Sequence, residues 1–189
     1  MLRNIFNPTL ILISALLYAI FFGINSFLME SLTFSLGVNW IFLPAGLRLL
    51  LTLLFGMSGA IGISLTSILI ALNFYFQHDL ISGIGAGLLG GLAPYLAKLL
   101  VFKNMRLTSN LENLNGHKLL NCIFIYSLMS PMLHQTWFVV RGINDNFVEH
   151  VGVMFIGDLV GTLIIIYLAK LVIYTLKRRA QYISPESLR

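Results

Sequence analysis

Charge is scarce in this chain. Asp, Glu, Lys and Arg make up 10% of its 189 residues, while hydrophobic residues make up 58%. A typical soluble domain carries about 25% charged residues. A soluble fold of this size needs a polar surface that so few charges cannot cover, so a soluble enzyme is excluded. Cysteine is nearly missing as well. Cys122 stands alone, so no internal disulfide can form, and its place in an apolar run reads as a buried, inert thiol. The sequence has no nucleophile elbow, phosphate-binding glycine loop, Cys-x-x-Cys pair or His-Glu-x-x-His helix. No two histidines share a helical face at ligand spacing. Neither catalysis, nor a metal, nor a cofactor is therefore expected. The longest polar stretch, Lys103 to Lys118, is too short to hold a catalytic fold.

What the chain has instead is long apolar runs. A helix crosses ~30 Å of hydrocarbon in roughly 20 residues. Six runs qualify as candidate spans: Pro8–Phe27, Trp40–Phe55, Ala60–Phe76, Leu80–Phe102, Leu119–Val140 and Val151–Leu176. The first has too long a core and no small-x-small site for a cleavable signal, so it reads as a retained helix. The second and third are short and joined by the tight Gly56-Met57-Ser58-Gly59 connector, so a re-entrant hairpin is the alternative there. The expected fold is all-α: a polytopic transmembrane helical bundle of about six helices. A single integral membrane domain would occupy residues 1–176, with a short basic tail over 177–189.

The net charge of +5 does not point to nucleic acid. The basic residues sit at the ends of apolar runs, the pattern of topology determinants, so the expected partner is the lipid bilayer. Placing the N-terminus inside puts Arg3, Lys103, Arg106, Lys118, Lys177, Arg178, Arg179 and Arg189 on inner segments. The outer connectors then carry Arg141 beside Glu30, Asp79, Asp145 and Glu149. Both termini are thus expected in the cytoplasm of a multi-pass protein of the cell inner (plasma) membrane. Leu28–Asn39 reads as an outer interfacial segment leading to Trp40 at headgroup depth.

Ionisable groups inside a span are costly and are functional candidates. Arg48 and Asp158 both fall ~10–12 Å below the outer boundary when counted at 1.5 Å per residue, which predicts an ion pair. His134 and Gln135 fall at a comparable depth, and Asn73 and His78 close the outer end of the third span. Arg48, His134, Gln135 and Asp158 therefore form the candidate ligand site, in the outer half of the membrane. The guanidinium suggests a small anionic ligand. A proton relay through these groups is one alternative, and two bland readings stand beside it. Arg48 could snorkel to the headgroups, and Asp158 could simply clamp two helices.

Glycines form the second pattern. Gly83, Gly87 and Gly91 recur every four residues, and Gly157 and Gly161 flank Asp158. Such small-xxx-small stripes let helices approach closely, with internal packing or dimerisation as the two uses. Ala15 and Ala19 repeat the pattern on the first span. Pro94 and Pro131 permit kinks.

Two stretches carry a family likeness. Asn39-Trp40-Ile41-Phe42-Leu43-Pro44-Ala45-Gly46-Leu47 resembles the W-x-P-A-G signature of the membrane-associated sensor domain of the first type (MASE-type). Gly157-Asp158-Leu159-Val160-Gly161 resembles the G-D-x-x-G of that family's last conserved helix. The resemblance implies a sensor-like module responding to a ligand, with its output in a partner protein of the membrane or cytoplasm. In length and helix number the chain also resembles the substrate-binding subunits of energy-coupling-factor vitamin transporters. In those the first-helix small residues, here Ala15 and Ala19, would meet a coupling subunit. A structural assembly protein is the third class.

Overall fold

The computed structural model describes residues 6–105 and 114–183. Six helices account for nearly all of it: α1 (Pro8–Leu28), α2 (Leu43–Phe55), α3 (Met57–Ile70), α4 (Leu80–Met105), α5 (Gly116–Val140) and α6 (Phe147–Ile183). A π-helical turn, Ala71–Tyr75, extends α3, and a two-stranded antiparallel hairpin of β1 (Thr33–Ser35) and β2 (Val38–Asn39) lies between α1 and α2. Five helices are long and apolar enough to cross a membrane, and α2 is the short one. The architecture is a helical membrane bundle, as the composition requires.

The helix starts are set by local chemistry. Asn7 caps α1, its side-chain oxygen accepting from the N–H groups of Thr9 and Leu10, with Pro8 in the first turn. Asn115 caps α5 in the same way. Asp79 accepts from the Ser82 N–H at the start of α4. One residue, Gly56 at φ 59°, turns α2 into α3, a backbone conformation that side chains resist. The chain then folds back closely enough that a Cβ at Gly59 would sit 2.5 Å from the Leu51 carbonyl oxygen.

Several expected boundaries move. Trp40 to Phe42 are not helical, because Val38–Asn39 are held in the hairpin and Pro44 opens the helix at Leu43. The expected interfacial segment is therefore a β-hairpin in part. At its other end, α6 begins four residues before Val151 and carries Lys177, Arg178 and Arg179 on its own continuation, so the first part of the basic tail is helical. Residues 106–113 of the basic loop and 184–189 of the tail, with Arg3, lie outside the described residues. In the α2–α3 pair, α3 with its π turn is long and apolar enough to cross a membrane, whereas α2, at 13 residues, is not.

The helices are arranged around α2, which packs against each of the other five. Nine of its 13 residues are buried, from Pro44 to Leu53. The glycine stripes bring the neighbours in. Gly87 lies against the Ile68 backbone and Gly91 against Ala60, joining α4 to α3, while Gly83 packs on Leu72. Gly157 and Gly161 lie against the carbonyls of Asn39 and Phe42, seating α6 on the entry to α2. From the opposite side, a Cβ at Gly46 would sit 2.6 Å from Ile165 Cβ.

Leucine at Gly87 or Gly161 should therefore cost about 3 kcal/mol or more, since the obstruction is backbone and cannot rotate away. Alanine at Gly23 or Gly152, where nothing lies within 4 Å, should be neutral or gain up to about 1 kcal/mol of helix propensity. Thermal melting of the four purified variants checks this, and equal melting of all four would refute the packing.

Candidate functional site

Arg48 projects from the middle of α2 and is only 7% exposed. The hydroxyl of Tyr18, on α1, accepts from both its Nε, at 2.9 Å, and its Nη2. The guanidinium carbon lies 5.0 Å from the Tyr18 ring centre and 5.2 Å from that of Phe42, within cation–π range of each. Glycine at position 90 of α4 leaves room beside Nη2. No carboxylate reaches it. Among the described residues the one ion pair is Arg141–Asp79, at 3.1 Å.

A cavity of about 60 Å³ opens beside this guanidinium, lined also by Tyr18, Ser67, Tyr75, His134 and Phe138. That is room for roughly four or five waters or one small ligand group. A second cavity, of about 240 Å³, is lined by Asn25, Met29, Glu30 and Thr33 toward the hairpin. The two share Phe22, Gly37, Asn39, Phe42 and Tyr75, so they adjoin, one at Arg48 and the other toward the hairpin.

Comparison with protein-family models, curated proteins and solved structures returns no match, so the family likeness rests on the residues quoted above alone.

The expected site residues divide. Arg48 and His134 line the same cavity. His134 Nδ1 lies 2.8 Å from the Ser130 carbonyl oxygen, which only accepts, so Nδ1 carries the proton. Gln135 is fully buried elsewhere. Its oxygen accepts from Asn144 at 2.7 Å and its amide nitrogen approaches the Met154 sulfur at 3.6 Å, which ties down the α5–α6 connector. Asn73 and His78 are exposed, and Asn73 bonds back to the Leu69 carbonyl.

Asp158 corrects the expected ion pair. It is 0% exposed, makes no ion pair and lines neither cavity. The equal-depth argument fails because both helices start elsewhere than supposed. Arg48 comes five residues into α2, about 7 Å along its axis, while Asp158 comes eleven residues into α6, whose first turns pack beside the hairpin, beyond the start of α2. The Gly157–Asn39 and Gly161–Phe42 contacts fix the register, which sets Asp158 level with the start of α2. Neither carboxylate oxygen finds a donor in hydrogen-bond geometry. The Ser130 hydroxyl, Tyr126 and the Arg48 charge remain within electrostatic reach.

Tyr18, Ser67, Tyr126 and Ser130 were not expected in this cluster. A signal for them exists: Ser14, Tyr18 and Asn25, the buried residues of α1, recur at intervals of four and seven, and Ser127, Ser130 and His134 at three and four. Each set marks one helical face.

A separate polar latch closes the hairpin end. Arg141 donates to both oxygens of Asp79 and, at 2.9 Å, to the Ser82 hydroxyl, while Trp137 donates to the Ser82 carbonyl at 3.2 Å. The Ser82 hydroxyl and N–H, followed by Arg141, hold the Asp79 carboxyl down at about 2 against an ordinary 3.8. A depressed folded value gives stability that is present above 3.8 and is lost as pH falls toward about 2. Melting temperature should therefore drop over that interval in the parent and drop less in Asp79→Asn. Equal acid sensitivity of the two would discard the latch.

Proposed function

We propose that this chain is a ligand-responsive membrane module that takes a small anion from the outer side into the cavity beside Arg48. One observation carries the reading: a buried guanidinium, touching no carboxylate, lines a cavity that adjoins a second one toward the hairpin. A buried guanidinium that touches no carboxylate is compensated only at a distance, and a carboxylate or similar anion would meet it directly in bidentate geometry. The aromatic walls, Phe22, Phe42, Tyr75 and Phe138, suit an apolar body behind the charged group.

Orientation follows from the basic residues. Lys103, Lys118, Lys177, Arg178 and Arg179 gather at one end of the bundle, against Arg141 at the hairpin end. That asymmetry supports an outer hairpin and cavity mouth, with both termini in the cytoplasm of a plasma-membrane protein. The sensor reading draws support from α6, one unbroken helix of 37 residues that packs beside the site and runs ~55 Å, past the inner boundary. A separate inner partner could read it. Delivery of the same solute to a transport complex is the second reading, favoured by the exposed lipid-facing side of α1, where Ala19, Leu12, Leu16 and Ile20 lie open.

The detergent-purified chain should melt several degrees higher in the presence of a bound small carboxylate than in chloride alone. Arg48→Gln should abolish that shift, and Arg48→Lys should weaken it because the ammonium loses the planar fork. A carboxylate panel that leaves the melting temperature unmoved, or a shift that survives in Arg48→Gln, would reject the site.

A further inference from the structure

The bundle holds two buried charges of opposite sign that do not touch, and the cavity reaches only one of them. Arg48 lines it; Asp158, wholly buried, does not. The groups around the pair come from every neighbouring element. Arg48 of α2 and Tyr126 of α5 face Asp158 on α6. Tyr18 of α1, His134 of α5 and Tyr75, which follows α3, surround the guanidinium. From α4 the nearest cation is Lys98, which is spent on the last carbonyls of α2. No second cation is therefore at hand to compensate the carboxylate.

The geometry points to a coupling: binding of an anion at Arg48 draws one proton from water onto Asp158. This rests on the anion site proposed above. With the cavity empty, the guanidinium and the carboxylate balance each other through the low-dielectric core. An anion seated on Arg48 cancels that positive charge and leaves Asp158 as a stranded buried carboxylate. A buried carboxylate without compensation takes up a proton in place of remaining charged. The Ser130 hydroxyl beside it can donate to the carboxylate and accept from the acid, so that neighbour serves either form and the charge on Arg48 decides between them. The buried charge before and after binding is then the same, with one anion and one proton added together. Such a site responds to acidity and anion jointly, and it releases its ligand where protons are scarce.

Benzoate, an aromatic monocarboxylate, is the probe, titrated calorimetrically into the purified full chain. Its affinity should weaken by up to roughly tenfold per pH unit through the alkaline range, the limit for one linked proton. Heats in buffers of different ionisation enthalpy should show uptake of nearly one proton per benzoate. Asp158→Asn should bind with no pH slope, while His134→Gln should keep the slope. Infrared difference spectra of the parent, benzoate-bound minus free, should show a protonated carboxyl stretch that Asp158→Asn lacks. Arg48→Gln should show the same band with no ligand at all. A pH-flat affinity in the parent, a slope that disappears with His134→Gln, or a missing carboxyl band on binding would each overturn the coupling. Failure of benzoate to bind, with the band still present in Arg48→Gln, would instead reject the anion site and leave the charge linkage standing.

Discussion

A 13-residue helix extends ~20 Å, too little to carry its ends to water on both sides of a ~30 Å hydrocarbon layer. In that layer every backbone N–H and C=O must find a partner inside the protein. The structure solves this at both ends of α2 with side chains and backbone from elsewhere. The Leu43 N–H donates to the Asn25 side-chain oxygen at 3.0 Å, and the Phe42 N–H donates to the Gly157 carbonyl at 3.1 Å. At the far end Lys98 donates to the Thr52 and Leu53 carbonyls, each at 3.1 Å, a cation at the negative end of the helix. Its stem lies along α4 and its ammonium rests 5.1 Å from the Phe102 ring centre, so the charge is sheltered on two sides. Once capped in this way, α2 can sit largely inside the bundle, with Leu54 its exposed residue, and the remaining architecture follows from enclosing it.

Enclosure explains why the polar groups converge. Five helices facing one central helix turn their lipid sides outward, and those sides carry exposed Leu, Ile, Val and Phe throughout. Polar residues on the ring helices turn inward, to α2 or to one another: Thr66 donates to the Ala15 carbonyl, and Ser14 packs on Gly62, joining α1 to α3. Ser14 and Tyr18, Thr66 and Ser67, Ser127, Ser130 and His134, Asp158 and Thr162 are accordingly all buried. A lone arginine on the central helix then meets neighbours from several others. Close approach through Gly46, Gly90 and Gly161 keeps this polar core narrow, so the cavity beside Arg48 is small and the one adjoining it is larger.

The sequence displayed the bundle plainly because apolar length and sparse charge are composition-level signals. It displayed Arg48 and His134 as site candidates for a similar reason: a charge or an imidazole within a span is rare enough to notice. Depth was harder to read. Counting from Trp40 and Val151 assumed helix at both, but Val38–Asn39 are drawn into a hairpin and Phe147 already begins α6, so the two counts slipped in opposite senses. Burial of Gln135 was legible, while its task was not, because its partner Asn144 lies in a connector whose path depends on the turn at Gly142, φ 68°. Tyr18 was missed because tyrosine in a first span reads equally well as an interfacial anchor. Only the central position of α2, a tertiary fact, turns its hydroxyl toward Arg48.

That central position also separates two kinds of residue that lie together in the sequence. Trp40 through Leu47 and Gly157 through Gly161, the stretches carrying the family likeness, pack on one another: Phe42 against Gly161, Asn39 against Gly157, Gly46 against Ile165 and Thr162. Pro44 opens the helix, Ala45 is fully buried, and the glycines admit the backbone of the facing helix. Their chemistry is that of seating α2 against α6. Arg48 stands one residue beyond this run, and its guanidinium passes over the Phe42 ring to reach Tyr18 on α1 and approach Gly90 on α4. A likeness confined to the seating residues therefore speaks to how the central helix is held. The proposed ligand chemistry rests instead on Arg48 and the side chains that the ring brings to it, and those positions would be free to differ between chains that share the same seat.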